Sequence, residues 1–462
     1  MRFLLLFLLT TLGMCAIVYG QTDGVAAGRC VIGKIIVDGN NVTRRAVILR
    51  ELSIKEGDVV VRDSVEVLMV ENKLRLFNLQ LFNEVEQDTT LPNNDTIYWH
   101  VRVKERWYII PTGILQFADR NINTWWTDYR NDYERISAGA VITDRNFRGN
   151  LETVSLTVQA GYTQKLGISY MLPYINKRQT HGVGVVAAMA RSRQTYYATE
   201  QNKLVFAGGY SGPVIWRHSE AGLAYIYRPG YASRHSVQAV YRQYEVGDTI
   251  RKLNADYFGD SSGRARFVEL NYRYEYNGVD NWNYSLKGEK VVATTVVRAG
   301  MEGLKFQSYM TVEAGVFRNP LPGWYVSGIV RGRVMLPQNQ PYYFRNGLGS
   351  NTDYVRGYEY YVTDGYNYGL LRLNLKRQAF NNTYSLPVRY LTAVPVRVYP
   401  KLFFDVGYIN SPFMNSNTLE NTVLYSVGAG VDVVTFYDVK VRVEFARNHL
   451  GRNGIYLHFN SE

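Results

Sequence analysis

Residues 266–276 are RFVELNYRYEY, and how this stretch is read decides the fold. Val268, Leu270, Tyr272, Tyr274 and Tyr276 fall on one side of an extended chain, with Glu269, Asn271, Arg273 and Glu275 on the other. Successive side chains of a strand point to opposite faces, so one face is apolar and the other carries full charges. The same period returns on either side of it. Leu371, Leu373 and Leu375 alternate with Arg372, Asn374 and Lys376; Val439, Val441, Val443 and Phe445 alternate with Lys440, Arg442 and Glu444; Val154, Leu156 and Val158 alternate with Ser155, Thr157 and Gln159. A soluble sandwich alternates too, so three further features separate the architectures. The pattern runs for roughly 350 residues without helical periodicity. The chain holds 38 Tyr in 462 residues, as aromatic girdles at membrane interfaces require. Its N-terminus is an export leader. At about 22 residues per strand and loop, the length gives about 16 strands, an even number as expected of bacterial barrels. The expected class is mainly β, an antiparallel transmembrane barrel over residues 107–462.

The leader is Met1-Arg2 followed by an almost continuous apolar run from Phe3 to Val18, then Val18-Tyr19-Gly20 before Gln21. This is the layout of a cleavable secretory signal over residues 1–20. The run falls short of the ~20 residues a spanning helix needs. A lipoprotein signal ending at Cys15 is the alternative, with Met14 where a small residue is wanted. Residues 21–29 are a short linker. After cleavage Cys30 is the remaining thiol, expected as a small buried apolar residue. The balance of 52 Lys+Arg against 40 Asp+Glu gives +12. Arg242, Arg273, Arg331, Arg333, Arg372, Lys376, Lys440 and Arg442 all fall on the charged face of their segments, so the excess is assigned to a basic lumen rather than to nucleic acid.

Residues 30–106 have a different grammar. Val31 to Val37 is a short strand closed by Asp38-Gly39-Asn40-Asn41. Thr43 is placed to cap a helix running through Glu51, with Ala46, Val47, Ile48 and Leu49 on its face. Ser64 to Phe77 is a second helix, with Val67, Leu68, Val70, Leu74 and Phe77 at helical spacing. Phe82 to Gln87 and Ile97 to Val103 are strands around Pro92-Asn93-Asn94-Asp95. This strand, helix, helix, strand, strand order, with GNNVTRRAVILRELSIKEGD and LRLFNLQLFNEVE, resembles a POTRA domain; a generic α+β binding module is the alternative. The resemblance implies an exposed sheet edge able to accept an extended client strand. Leu81 to Gln87, with Leu81, Phe82 and Val85, is the candidate edge, and Glu84 and Glu86 are the charges that would otherwise simply protect it.

Between the strands Tyr325–Leu336 and Gly369–Lys376 lies a long segment without alternation, holding Val355-Arg356-Gly357-Tyr358. Long loops in compact domains are usually functional. Arginine offers a permanently charged planar fork that binds carboxylate bidentately, and glycine permits close backbone approach. In this context the chain resembles the Omp85 superfamily of outer-membrane assembly and translocation proteins, which includes the central subunit of the barrel-assembly machinery. The match extends from about residue 30 to the C-terminus. The resemblance implies that the loop folds into the barrel and that its V-R-G-Y tip is locked by inward carboxylates. Asp405 and Glu444 are the candidate partners on alternation.

It also implies a weak seam between first and last strands that opens sideways. The first strand is placed at Tyr108 to Asp119, where Pro111 suits an edge. The last is placed at about Gly454 to Asn460, with Gly454, Leu457 and Phe459 partly matching a barrel C-terminal signal. A client would then enter the bilayer without leaving backbone groups unpaired. The implied partners are unfolded outer-membrane or exported proteins, membrane lipids and partner lipoproteins. The implied location is a bacterial outer membrane with the POTRA domain in the periplasm. Two alternatives stay open: an accessory or dedicated translocase barrel for one surface protein, and a passive pore. The chain departs from several relatives in having room for one POTRA domain, too little before it for a plug helix, and no hydrolase segment.

Enzymatic signatures are missing. Gly209-Tyr210-Ser211-Gly212-Pro213 fails the nucleophile-elbow pattern at its last position, and no H-E-x-x-H, P-loop or paired Cys occurs. Six scattered His argue against a metal cluster. A Ser/His pair on an outer wall, as in barrel phospholipases, is unmarked. The expectation is a non-enzyme without cofactor, metal or nucleic-acid partner.

Overall fold

The computed structural model describes residues 28–93, 95–117, 132–209, 212–350, 353–385, 393–413, 417–435 and 439–459. The leader, most of the linker, the side chain of Phe459 and the last three residues lie outside these.

The N-terminal unit is a four-stranded sheet backed by two helices. Its elements are β1 (Arg29–Asp38), α1 (Arg45–Glu51), β2 (Val59–Val61), α2 (Val65–Asn78), β3 (Phe82–Asn93) and β4 (Thr96–Glu105). The strand order is β2-β1-β4-β3, with β1 and β4 parallel. Cys30, Ile32, Ile35, Val47, Ile48, Leu76, Phe82 and Trp99 fill its core. Two local expectations are corrected. Thr43 does not cap α1: its hydroxyl bonds Tyr108 Oη at 2.8 Å and accepts from Asn146 Nδ2 at 3.0 Å, at the junction with the barrel. On α2, Val67, Val70 and Leu74 are exposed, while Val65, Asn72, Leu76 and Asn78 are buried. Two faces compete on that helix, and the domain core takes the one at Val65, Leu68, Asn72 and Leu76, with Asn72 Oδ1 accepting from Ser53 N–H at 2.7 Å. The short strand β2 was also unforeseen.

The rest is a closed barrel of β5 (Ile109–Phe117), β6 (Ile136–Asp144), β7 (Thr153–Gly161), β8 (Thr163–Leu172), β9 (His181–Ser192), β12 (Trp216–Tyr227), β13 (Ser233–Val246), β14 (Arg264–Val279), β15 (Gly288–Glu302), β16 (Phe306–Leu321), β17 (Trp324–Leu336), β18 (Asn367–Arg377), β19 (Phe380–Ser385), β20 (Ala393–Asn410), β21 (Val423–Val434), β22 (Lys440–Asn448) and β23 (Asn453–Phe459). These seventeen segments make sixteen staves, because β18 and β19 lie in line and both pair with β20. The alternating faces sort as a single-layer wall demands. Val268, Leu270, Tyr272, Leu373, Val443 and Phe445 are exposed on the outside, and Glu269, Arg372, Asn374, Arg442 and Glu444 are buried inside.

The far rim departs from a barrel of strands alone. A hairpin of β10 (Gln194–Glu200) and β11 (Lys203–Gly208) and a six-residue helix α3 (Asp248–Leu253) fold over the lumen. Ile250, Tyr257, Phe258, Tyr342 and Phe344 belong to one apolar cluster beneath them. The hairpin tip is fastened down: Asn202 N–H donates to Asn417 at 2.7 Å, its carbonyl accepts from Val362 N–H at 2.8 Å, and its side-chain oxygen accepts from Thr418 and Leu419.

Candidate functional site

The segment after β17 enters the lumen and places Val355, Arg356, Gly357 and Tyr358 against the inner wall, Arg356 being 1% exposed. The tip is a turn, with Tyr358 N–H donating to Val355 O at 3.0 Å. Gly357 sits at φ +87°, and a Cβ there would lie 3.2 Å from that of Ala446. Both the left-handed backbone and the closeness to β22 therefore require glycine. Asn448 Nδ2 donates to Gly357 O at 2.7 Å, and the Tyr358 hydroxyl bonds His449.

The Arg356 guanidinium meets Asp405 as a fork, with Nε to Oδ2 at 2.8 Å and Nη2 to Oδ1 at 2.5 Å. Its backbone N–H also donates to Asp405 at 3.1 Å. Nη1 donates to Asn374 Oδ1 at 2.8 Å and to Glu444 Oε1 at 3.1 Å. Phe403 stacks beneath, its ring centre 4.0 Å from the guanidinium carbon. Alternation puts Asp405 and Glu444 inside on β20 and β22, and the barrel brings both to one arginine.

Of the residues that complete the cluster, alternation already gives Arg372, Lys376 and Arg442 an inward face, while Lys401 and Asp432 are not singled out by the sequence reading. Lys401 is wholly buried, its Nζ 2.7 Å from Asp432 and 2.6 Å from Glu444. Arg442 Nε donates to Asp432 at 3.0 Å, and Lys376 lies 3.4 Å from the same carboxylate. Buried charges persist only when paired and hydrogen-bonded, and here three carboxylates are held among five cations, counting Arg372 at 3.9 Å from Asp405. A signal did exist. Lys401, Phe403 and Asp405 share one face of KLFFDVGYI, and Asp432 shares a face with Gly428 and Gly430, whose missing side chains leave room for Phe403 and Glu444. Gly430 shows the crowding: a Cβ there would meet Glu444 Cγ at 3.0 Å.

From the opposite side the β14–β15 turn (280–287) folds into the lumen mouth. Tyr284 Oη donates to Asp432 Oδ2 at 2.9 Å, and its ring carries Lys376 Nζ at 4.3 Å from the centre. That turn also touches the N-terminal domain, since Asn78 donates to Asp280 O at 3.3 Å and accepts from Trp282 N–H at 3.4 Å. The same domain holds a second turn through Glu51, fully buried, which takes two contacts from Arg228, at 2.6 and 2.8 Å. Arg50 donates to Gln179 O at 2.6 Å, and Arg44 N–H to Gly149 O at 2.9 Å. The domain is thus docked across four turns of one rim.

At the far rim Asp364 accepts from Thr199 at 3.0 Å, while its N–H donates to Glu420 at 2.9 Å. Burial, reinforced by the Glu420 carboxylate, pushes the Asp364 carboxyl up to about 7. The capped state therefore holds the proton more tightly than an open one does. Its contribution is full below the ordinary aspartate pKa and is lost as pH rises through about 7. Amides of the β10–β11 tip should exchange faster at pH 8 than at pH 6 after correction for intrinsic rates. Asp364→Asn should remove that difference.

The remaining expected positions are placed as follows. β3 lies at a sheet edge, but Leu81, Phe82 and Val85 point into the core; what the edge presents is its backbone, beside the exposed Val67, Val70 and Leu74. Ion pairs Lys104–Glu84 and Arg102–Glu86 join it to β4 on the exposed face of the sheet. Pro111 lies in β5, opposite Ile142 of β6. Gly454 and Leu457 lie in β23, with Leu457 exposed outward. β5 and β23 are neighbours and close the ring. β5 pairs with β6 over nine positions and β23 with β22 over seven, while among the described residues no ladder of comparable length joins β5 to β23. No group of three or more metal-ligating side chains occurs among the described residues.

A family model for POTRA, described as a surface antigen variable number repeat, matches residues 30–106. No curated protein matches the chain in sequence. Among solved structures, CdiB from Escherichia coli superposes with a TM-score of 0.56 at 11% identity, over 93% of this chain and 75% of that one. BamA from Haemophilus ducreyi, solved without POTRA domains 1–3, gives 0.52 at 12% identity, over 93% and 83%. CdiB from Acinetobacter baumannii gives 0.51 at 12%, over 93% and 73%. Residues 30–106 are a POTRA domain, and with the barrel and inserted loop that follow the chain has the Omp85-type fold.

Proposed function

We propose that this chain is an outer-membrane assembly or translocation factor, with its POTRA domain in the periplasm and its β5–β23 seam as the opening. The observation that carries this reading is the seam itself. Every other neighbouring pair of barrel staves is laced by a ladder of seven or more positions, while β5 brings a proline, which cannot donate to a ladder, to the junction. A client strand pairing with either free edge keeps its backbone groups satisfied inside the bilayer, where each unpaired group costs several kcal/mol. No nucleotide is needed; ladder formation and burial of lipid-facing side chains drive insertion. The β3 edge and the adjacent Val67, Val70 and Leu74 suit an extended apolar client segment before insertion. The inserted loop and the far-rim cap disfavour a passive pore.

The test joins β5 and β23 with pairs of introduced cysteines in cells that depend on this protein. Oxidation should lower the outer-membrane abundance of its clients, read by quantitative proteomics, and reductant should restore it. Undiminished clients with a fully crosslinked seam would overturn the gate. A broad fall in many barrels identifies a general insertase; loss of one or a few surface proteins identifies a dedicated translocase.

A further inference from the structure

The outer wall ends differently at its two rims. At the POTRA-side rim the lipid-facing positions of β9, β12, β13 and β14 are aromatic: Tyr225 bonds His181 Nδ1 at 2.6 Å, Tyr272 bonds His235 Nδ1 at 3.0 Å, and Tyr227, Tyr274 and Tyr276 complete the belt. At the far rim the same faces of β9, β12 and β14 carry arginine, and that of β13 carries Glu245. Arg191 shares a face with Met189, Arg217 with Leu223, and Arg264 and Arg266 with Val268, all of whose apolar members are exposed to lipid.

The register makes this a row. Gln164 stands opposite Arg191, Arg191 opposite Arg217, Arg217 opposite Glu245, and Glu245 opposite Arg264; Arg266 stands opposite Glu302 one step below. The step from Arg217 to Tyr227 on β12 is about 33 Å along the strand. At barrel tilt this is roughly 25 Å along the normal, the height of an apolar band. The row therefore sits at a membrane–water interface.

Like charges directly opposite each other on neighbouring strands repel. Arg264 and Arg266 have carboxylates beside them, Glu245 and Glu302, each at 3.4 Å, and Arg217 lies 3.6 Å from Glu245. Arg191 has only the neutral Gln164 side chain, at 2.7 Å, and among the described residues no carboxylate is within ion-pair distance of it. An anion between Arg191 and Arg217 removes the repulsion. The guanidinium fork matches phosphate bidentately. From β9 to β14 the row spans three interstrand spacings, about 14 Å. That breadth suits a headgroup bearing two phosphates better than a single phosphodiester. Apolar positions directly below it are where acyl chains of such a lipid lie.

We propose that Arg191 and Arg217, flanked by Arg264 and Arg266, form a site on the outer wall for a bis-phosphorylated glycolipid of the outer leaflet. The inference rests on the membrane orientation proposed above, but its test does not. Full-length protein in neutral detergent is titrated with diphosphoryl lipid A, and binding is read by native mass spectrometry. Arg191→Ser with Arg217→Ser should weaken binding by on the order of tenfold or more. Lys177→Ser with Arg178→Ser, the same charge change at the other rim, should leave it unchanged. Heat-modifiable gel mobility establishes that each variant is folded. Equal affinity in the folded Arg191/Arg217 variant would overturn the site. So would equal binding of phosphatidylglycerol, or full displacement of the lipid by inorganic phosphate at comparable concentration.

Discussion

Arg356→Ala should destabilise the barrel by about 3–5 kcal/mol, the usual cost of removing one partner from a buried ion pair. The substitution strips Asp405 of its fork and, among the described residues, of its only cation within 3 Å; Arg372 stays at 3.9 Å. Glu444 retains Lys401 at 2.6 Å, so the main loss falls on Asp405, which is wholly buried. The loop loses its anchor as well, because the backbone N–H of residue 356 binds the same carboxylate. The measurement is the temperature at which the folded, fast-migrating gel form disappears, together with urea unfolding. Arg356→Lys should recover only part of the loss, since an ammonium cannot reach two carboxylate oxygens, Asn374 and Glu444 at once. The double change Arg356→Met with Asp405→Leu separates stability from locking. An apolar pair of similar volume often restores the stability that a broken buried ion pair loses. If this double variant is stable yet fails to support client assembly, the arginine serves loop positioning. If it is both stable and active, the lock role fails.

How far this was legible in the sequence depended on what each pattern encodes. Period two names the face of a strand, and in a single-layer wall the face is the environment. Glu269, Arg372, Asp405 and Glu444 were therefore assigned to the lumen correctly from alternation alone, and the sixteen staves followed from length. A helix is less forgiving, because consecutive residues advance by 100° and two apolar stripes can overlap. On α2 the helical spacing of Val67, Leu68, Val70, Leu74 and Phe77 points to one apolar face, whereas Val67, Val70 and Leu74 are exposed and Asn72 and Leu76 are buried. Thr43 had the residue type of a cap but spends its hydroxyl on the barrel, a partner sixty-five residues away that local rules do not see. The far-rim cap and the inward turn at 280–287 were invisible for the same reason: DNWNYSLK is ordinary turn composition, and only the closed ring brings Tyr284 to Asp432.

The Arg228–Glu51 ion pair, together with the Tyr284–Asp432 contact, defines the second large effect. Arg228→Ala should release the POTRA domain from the barrel rim. Glu51 is fully buried and takes its two shortest contacts from Arg228; among the described residues Arg50, at 3.2 Å, is the other cation beside it. Losing the bidentate partner of a buried carboxylate costs about 3–5 kcal/mol, more than the neighbouring bonds through Asn78 and Arg44 can offset at about 1 kcal/mol each. Hydrogen exchange should show faster amides in α1 and in the 173–180 and 228–232 turns, while the gel mobility of the barrel is retained. Unchanged exchange there would mean that Thr43, Asn78 and Arg44 hold the dock without the ion pair. The decisive region is further away. Asn78 touches the 280–287 turn, Tyr284 of that turn binds Asp432, and Asp432 shares Lys401 with Glu444, which binds Arg356. If Arg228→Ala also speeds exchange at residues 355–358, undocking is transmitted along this chain of contacts, and a client seated on the POTRA domain has a route by which to loosen the lock. Tyr284→Phe in the same background should abolish that distant change while leaving the response of α1 intact. Loss of both responses together would place the coupling in the body of the docked domain rather than in the turn.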